Sequence, residues 1–259
     1  MARPLALLTN DDGIHSPFLE AMVRGFQEYF DVAVVAPGSE QSWVSRGMTR
    51  RGKVPVEPSD RFGCAAWSVG GTPSDCVNIG IGHLLPRPPD LVASGINIGY
   101  NATETLVFSS GTVGGAMEGA VWRIPAVAAS KWLPRPVFEA FRSGEPTAEE
   151  VLQSVACDGR RTAAFAYERV GAQSADLLVH NLNFPYDSDM QTEIRSVRPA
   201  PLQLGSLFEK QPDGQFEFTY AKGKILDESE DTDYAVLMSG RISYSLLNFS
   251  AVGSAPDLL

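Results

Sequence analysis

The chain has little cysteine and little histidine, and each shortage removes a class of chemistry. Its three cysteines, Cys64, Cys76 and Cys157, are far apart and odd in number, so they supply neither a disulfide framework nor a Cys-x-x-Cys metal site. All three read as buried thiols. The three histidines, His15, His83 and His180, match no zinc-ligand spacing. No apolar stretch approaches the roughly 18 residues that a membrane helix needs. Met-Ala-Arg-Pro runs straight into strand-like sequence without the apolar region and cleavage site of a secretion signal, so a cytoplasmic location is expected. Positive charge is also scarce. Against 31 Asp and Glu stand 21 Lys and Arg, a formal net charge of -10, which disfavours a nucleic acid duplex or an anionic membrane as partner. Arg46, Arg50, Arg51 and Lys53 form the one dense basic group, a solvated loop or a rim that draws in an anionic substrate. A P-loop, a dinucleotide fingerprint and a Gly-x-Ser-x-Gly elbow are all missing.

What is present is an α/β alternation in a chain of 259 residues, long enough to bury a sizeable core. Short apolar segments at 5–8, 32–36, 65–69, 91–93 and 126–129 alternate with helix-like stretches at 17–29, 74–84 and 112–122. That is the pattern of a Rossmann-like, doubly wound, mainly parallel sheet with helices on both faces. Residues 134–159 read as a surface connection carrying one helix at 148–156, and 177–185 as a further buried strand in which His180 is a satisfied core residue. After about residue 195 the texture changes. Runs at 203–208 and 215–220 flank Gln211-Pro-Asp-Gly, where proline fixes one turn dihedral and glycine accepts a positive φ. An isolated β-hairpin of this kind is marginal, so it is expected to pack on another subunit. A last strand is expected at 242–249. The expected organisation is a core over residues 1–195 and a C-terminal hairpin and oligomerisation extension over 196–259.

Asp11 and Asp12 end the first apolar run and precede Gly13. Successive side chains on a regular strand point apart, so both acids can face one cation only if the backbone turns, which glycine permits. The same pair also suits a bland role in which one acid caps the following helix. Other strand ends finish in small polar residues, Ser42 after the second and Asn97 after the fourth. A doubly wound fold gathers such ends into one crevice. Asp11, Asp12, Ser42 and Asn97 could then form an all-oxygen shell for a hard cation such as Mg²⁺, Mn²⁺ or Ca²⁺. Ser110, Gly111 and Thr112 open a helical stretch, where backbone N–H groups and hydroxyls suit a phosphate, although they also suit a plain helix cap. His15 lies beside the acids as a further candidate. A cation beside an anion-binding helix terminus points to phosphate ester hydrolysis, with one aspartate orienting or deprotonating the water.

Asn10-Asp-Asp-Gly-Ile-His, Val35-Ala-Pro with Ser42 and Ser45, Gly71-Thr-Pro-Ser-Asp-Cys-Val, Ser94-Gly-Ile-Asn-Ile-Gly with Asn101, Ser110-Gly-Thr-Val, Ala116-Met-Glu-Gly and, more weakly, Thr232-Asp-Tyr-Ala together resemble the SurE family. The resemblance implies a metal-dependent phosphomonoesterase of nucleoside 5′-monophosphates, with short polyphosphate a substrate of some members. It implies metal ligands at Asp11, Asp12, Ser42 and Asn97, catalysis by Asp11, Asp12 and Asn101, and phosphate contacts at Asn101, Ser110, Gly111 and Thr112. It also implies homodimers or homotetramers that exchange C-terminal elements. Two departures stand out. The stretch that usually reads Asp-Arg-Asn-Arg-Ser-Gly is here Gly38-Ser-Glu-Gln-Ser-Trp43, and Tyr100 replaces a common proline. They leave open a non-catalytic nucleotide- or metal-binding module of the same fold. A glycosyltransferase holding its metal with an acid pair fits less well.

Overall fold

Continuous apolar runs and alternating helices dictate a sheet covered on both sides, and the computed structural model, which describes residues 3–250 other than 173, 221 and 222, has that arrangement. In chain order the elements begin β1 (Leu5–Thr9), α1 (Pro17–Phe26), β2 (Asp31–Pro37), β3 (Val56–Ser59), β4 (Ala65–Val69) and α2 (Pro73–Ile79), which a π-helical turn prolongs to Leu84. There follow β5 (Leu91–Ile98), α3 (Glu104–Ser109), α4 (Gly111–Val121), β6 (Ala126–Lys131), α5 (Arg135–Arg142), α6 (Glu149–Tyr167) and β7 (Leu178–Phe184). The remainder comprises β8 (Ile194–Ser196), β9 (Leu202–Gln203), β10 (Phe208–Lys210), β11 (Phe216–Phe218), β12 (Lys224–Ile225), α7 (Asp233–Met238) and β13 (Ile242–Asn248).

Among the described residues nine strands form one sheet in the order β3-β4-β2-β1-β5-β6-β7-β13-β8. From β4 to β7 every pairing is parallel. The order reverses between β1 and β5, so the carboxyl ends of those two strands splay apart and open a crevice. β3 is an antiparallel edge strand, which tolerates Pro58 because one side of its backbone needs no ladder partner. β13 runs antiparallel to β7 inside the sheet, so the segment after residue 195 returns to the core.

Alternation along β1 distributes the helices. Ala6 and Leu8 face α1 and α6, whereas Leu7 packs with Val77 and Cys76 of α2. Ser16 caps α1 by accepting from the Phe18 N–H at 3.3 Å, and Pro17 suits its first turn. Phe18, Leu19, Met22 and Phe26 are fully buried, each worth on the order of 1.5–3 kcal/mol. α1 meets α6 backbone to backbone: a Cβ on Gly25 would lie 2.4 Å from the Gly159 carbonyl carbon, and one on Gly159 would lie 2.5 Å from the Ala21 oxygen.

Residues 134–159 depart from the expected surface connection. They hold α5 and the first half of α6, which continues to Tyr167 and buries Val151, Val155, Asp158, Gly159 and Ala163. Asp158 is tolerated inside because the fully buried Lys131 ammonium lies 2.7 Å from its Oδ2, among acceptors that include the Pro185 carbonyl and the Ser188 hydroxyl. Cys76 and Cys157 are buried thiols, while Cys64 is half-buried. No helix among the described residues is long and apolar enough to cross a membrane.

Candidate active site

The end of β1 does not continue straight. Asn10 Nδ2 donates to the Gly13 carbonyl at 3.0 Å and closes a turn in which Gly13 takes φ +98°, a conformation that favours glycine. Both acids are thereby held in the crevice. Asp11 is buried, and its Oδ1 accepts from the Thr112 hydroxyl at 2.6 Å in the first turn of α4. Asp12 is half-buried, and its Oδ2 accepts from the Ile98 N–H at 3.0 Å at the end of β5. The Gln41 N–H reaches the Asp11 carbonyl at 2.7 Å from the loop after β2. Three segments therefore converge on the acid pair. Gly111 fits them together, since a Cβ there would lie 2.8 Å from the Gln41 oxygen and 2.9 Å from the Asp11 Cβ.

Burial pushes the Asp11 carboxyl up to about 6, with the Thr112 hydrogen bond only partly offsetting it. Burial, then the charge of Asp11, pushes Asp12 well above the usual carboxylate range. Among the described residues neither acid has an ion-pair partner. Two adjacent carboxylates without a cationic side chain suit a divalent ion, and their all-oxygen donors select a hard one. The described residues hold no cluster of three or more His, Cys, Asp or Glu, so such an ion would draw its other ligands from neutral oxygens. Asn97, half-buried, immediately precedes Ile98, whose N–H binds Asp12. Ser42 follows Gln41, is exposed, and donates to Glu40 Oε1 at 2.7 Å. His15 is exposed.

Asn101 lies deeper, in a buried polar layer that sequence reading misses. Its N–H donates to Asn183 Oδ1 at 2.7 Å, its Nδ2 to Ser130 Oγ at 2.8 Å, and its carbonyl accepts from Asn181 Nδ2 at 2.9 Å. The next loop residue but one, Thr103, is held at φ +84° by donation from its N–H to Asp233 Oδ2 at 2.8 Å. Register explains the layer: Asn183 lies opposite Ser130 on β6 and Ser243 on β13, and Asn181 opposite Ser245. Asn181 Oδ1, Asn183 Nδ2, Thr103 Oγ1, Ser243 Oγ and Ser245 Oγ have no protein partner, a concentration of buried polar atoms that ordinary cores avoid. The available signal was the pair of asparagines two apart in an otherwise apolar strand, which places both on one face.

Ser110 caps α4 by accepting from the Val113 N–H at 3.0 Å. The basic group divides. Arg46 is paired with the buried Glu118 at 2.7 Å, which also accepts from Asn78 and Trp122, while Arg50, Arg51 and Lys53 are exposed. The loop carrying Ser42 is thus clamped onto α4.

Residues 6–206 match the family model described as Survival protein SurE. The chain belongs to the SurE family. It is 33% identical to a protein of Methanosarcina barkeri named 5′-nucleotidase SurE, over 96% of this chain and 93% of that one. It is 34% identical to the similarly named protein of Deinococcus radiodurans, over 94% and 87%. The crystal structure of the SurE protein from Aquifex aeolicus superposes with a TM-score of 0.71 at 25% identity, covering 95% of this chain and 93% of that one. Trp43, which stands where the SurE pattern usually has glycine, is unusual for a bulky side chain in its own backbone conformation. It adopts φ +62°, which costs a non-glycine residue on the order of 1–2 kcal/mol. This SurE chain therefore carries its largest side chain type where glycine is the comfortable choice.

Proposed function

We propose that the chain is a divalent-cation-dependent 5′-nucleotidase that hydrolyses nucleoside 5′-monophosphates to nucleoside and phosphate. The observation that carries this reading is the 2.6 Å hydrogen bond from the Thr112 hydroxyl to Asp11, which docks the N-terminus of an eleven-residue helix onto the acid pair. A group that attracts anions and a group that demands a cation occupy one place. The names of the relatives support the same chemistry.

In the reaction a water oxygen bonds to phosphorus, the bond from phosphorus to the 5′-oxygen breaks, and the water's proton ends on that oxygen. Asp11, Asp12, Ser42 and Asn97 would hold a Mg²⁺ or Mn²⁺ ion, which when bound would supply charge neutralisation and lower the pKa of water. Asp11 is locked by Thr112 and serves to hold. Asp12, the more open of the two, has Oδ1 uncommitted and orients and deprotonates the water. The Ser110 hydroxyl accepts from the Val113 N–H and so keeps its own proton to donate to phosphate, as do the N–H groups of Gly111 and Thr112. Asn101, with one amide hydrogen spent on Ser130, presents its second. Residues 196–259 assemble a homodimer or homotetramer, and nucleotide substrates make a cytoplasmic site of action part of the proposal.

The test is phosphate release from AMP, GMP and polyphosphate, with and without Mg²⁺ or Mn²⁺, by the intact protein and by Asp11→Asn and Asp12→Asn. Release from the nucleotides should require the cation and fall at least about a hundredfold in each variant, a loss typical of removing electrostatic stabilisation. The cation should also raise the melting temperature of the parent and not of the variants, because only the parent binds it in the folded state. Undiminished turnover in both variants would refute the mechanism. Nucleotide binding with no release under any cation would favour the non-catalytic module.

A further inference from the structure

Two groups of aromatic rings flank the segments that carry the site, and neither the fold nor the hydrolysis uses them. Phe208 meets Phe218 edge-on at 5.8 Å, and Phe218 meets Trp43 edge-on at 5.2 Å. Trp43 meets Tyr220 at 6.1 Å, and at the far side Tyr100 meets Tyr234 at 6.2 Å. Both groups of rings stand beside the site's own residues. Trp43 directly follows Ser42, and Tyr100 lies between Asn97 and Asn101.

Trp43 is not a core residue that happens to reach the surface. It is 38% exposed and Tyr220 is 47% exposed, so both residues are open to solvent. Its loop is pinned on either side, by the Gln41 N–H to the Asp11 carbonyl at 2.7 Å and by the Ser45 N–H to the Ser109 carbonyl at 3.1 Å. Those bonds fix the indole relative to the α4 N-terminus, and the left-handed backbone at φ +62° turns it toward the hairpin. Arg46, the basic residue nearest Trp43 in this loop, is bound to Glu118. The rim is equipped for stacking.

We infer that Trp43 and Tyr220 form a nucleobase subsite, in which a purine stacks on the Trp43 indole while its 5′-phosphate lies at the α4 N-terminus. The site therefore favours purine nucleotides over phosphate esters that lack a heterocycle, because stacking rewards a broad π-surface. This inference rests on the nucleotidase reading and gives it a substrate class.

The test compares kcat/KM for AMP and for ribose 5-phosphate in the parent, Trp43→Ala, Trp43→Phe and Tyr220→Ala. Loss of one stacking partner should lower the AMP to ribose 5-phosphate ratio by roughly tenfold in Trp43→Ala, mainly through the KM for AMP. Trp43→Phe should restore most of it, and Tyr220→Ala should show a smaller loss. Tryptophan fluorescence titrated with adenosine, which has no phosphate, should saturate in the parent and not in Trp43→Phe. Equal losses on both substrates in Trp43→Ala, or a changed sedimentation coefficient, would assign the ring to loop structure or subunit contact and overturn the inference. If the parent hydrolyses AMP and ribose 5-phosphate equally well, the subsite fails and the phosphatase stands. If it hydrolyses nothing yet gives the adenosine signal, the nucleotidase reading fails and the subsite stands.

Discussion

A histidine stacked between aromatic rings in a strand is tolerated only while it stays neutral. His180 lies edge-on to Phe165 at 5.8 Å and stacked on Tyr244 at 5.8 Å, with its Nδ1 2.9 Å from the Tyr244 hydroxyl. Burial, and then the positive charge of Arg169, hold its pKa down at about 4 against an ordinary 6.5. The sign of the linkage follows from which state takes up protons. Below about pH 6.5 the unfolded chain protonates this residue while the folded chain resists until about pH 4, so its stabilising share is complete above 6.5 and is lost as the pH falls. Urea unfolding at about pH 8 and about pH 5 should show a stability loss larger by about 1–2 kcal/mol in the parent than in His180→Phe, after discounting for the partly open side of the ring. Equal losses would show that His180 titrates normally. The core role expected of this residue from its apolar neighbours is thus the one its surroundings enforce.

At the scale of elements, the contact between α1 and α6 offers a test in which two effects have opposite signs. Alanine is favoured over glycine inside a helix by about 1 kcal/mol, so Gly159→Ala would stabilise α6 in isolation. In the protein the new methyl would lie 2.5 Å from the Ala21 carbonyl oxygen, which is backbone and cannot rotate away. The clash should win by about 1–3 kcal/mol, seen as a lowered melting temperature, and a raised one would mean that the helices are not in backbone contact. The same contact explains why α6 was only half legible. Asp158, Gly159, Arg160 and Arg161 look like the end of a helix, and only Lys131 and α1, distant in sequence, make them its middle. β5 outruns the expected strand at 91–93 for a related reason, since Ser94-Gly95 has the composition of a loop while the strand continues to Ile98. The acid turn was legible because a buried strand, a carboxylate pair and a glycine are contiguous. Asn181, Asn183 and Asp233 were not, since their partner residues Asn101 and Thr103 lie 80 or more positions away and only the sheet order brings them together.

For the whole molecule, the question is what the β10–β11 hairpin does outside the sheet. Its ladder has three pairs, and the central one sets Glu209 against Glu217, like charges directly opposite each other. Such a ribbon does not hold itself together, and its other face presents Phe208 and Phe216, 55% and 65% exposed. Trp43 engages Phe218 but leaves the tip uncovered. The base of the extension is nevertheless firm, because Asp233 accepts from the N–H groups of Thr103 and Ala200 at 2.8 and 2.9 Å and ties α7 to the loop beside Asn101. A rigidly rooted ribbon with an apolar tip suits insertion against a second copy of the chain, where burying each phenylalanine would contribute on the order of 1.5–3 kcal/mol. Phe216 sits farthest from the Trp43 contact, so Phe216→Glu addresses assembly without touching the aromatic rim. Sedimentation velocity should find the parent as a dimer or tetramer and Phe216→Glu shifted toward monomer, with the melting temperature of the parent, and not of the variant, rising with protein concentration. A monomeric parent, or a variant that assembles as the parent does, would remove the hairpin from the interface. The exposed phenylalanines would then need another partner.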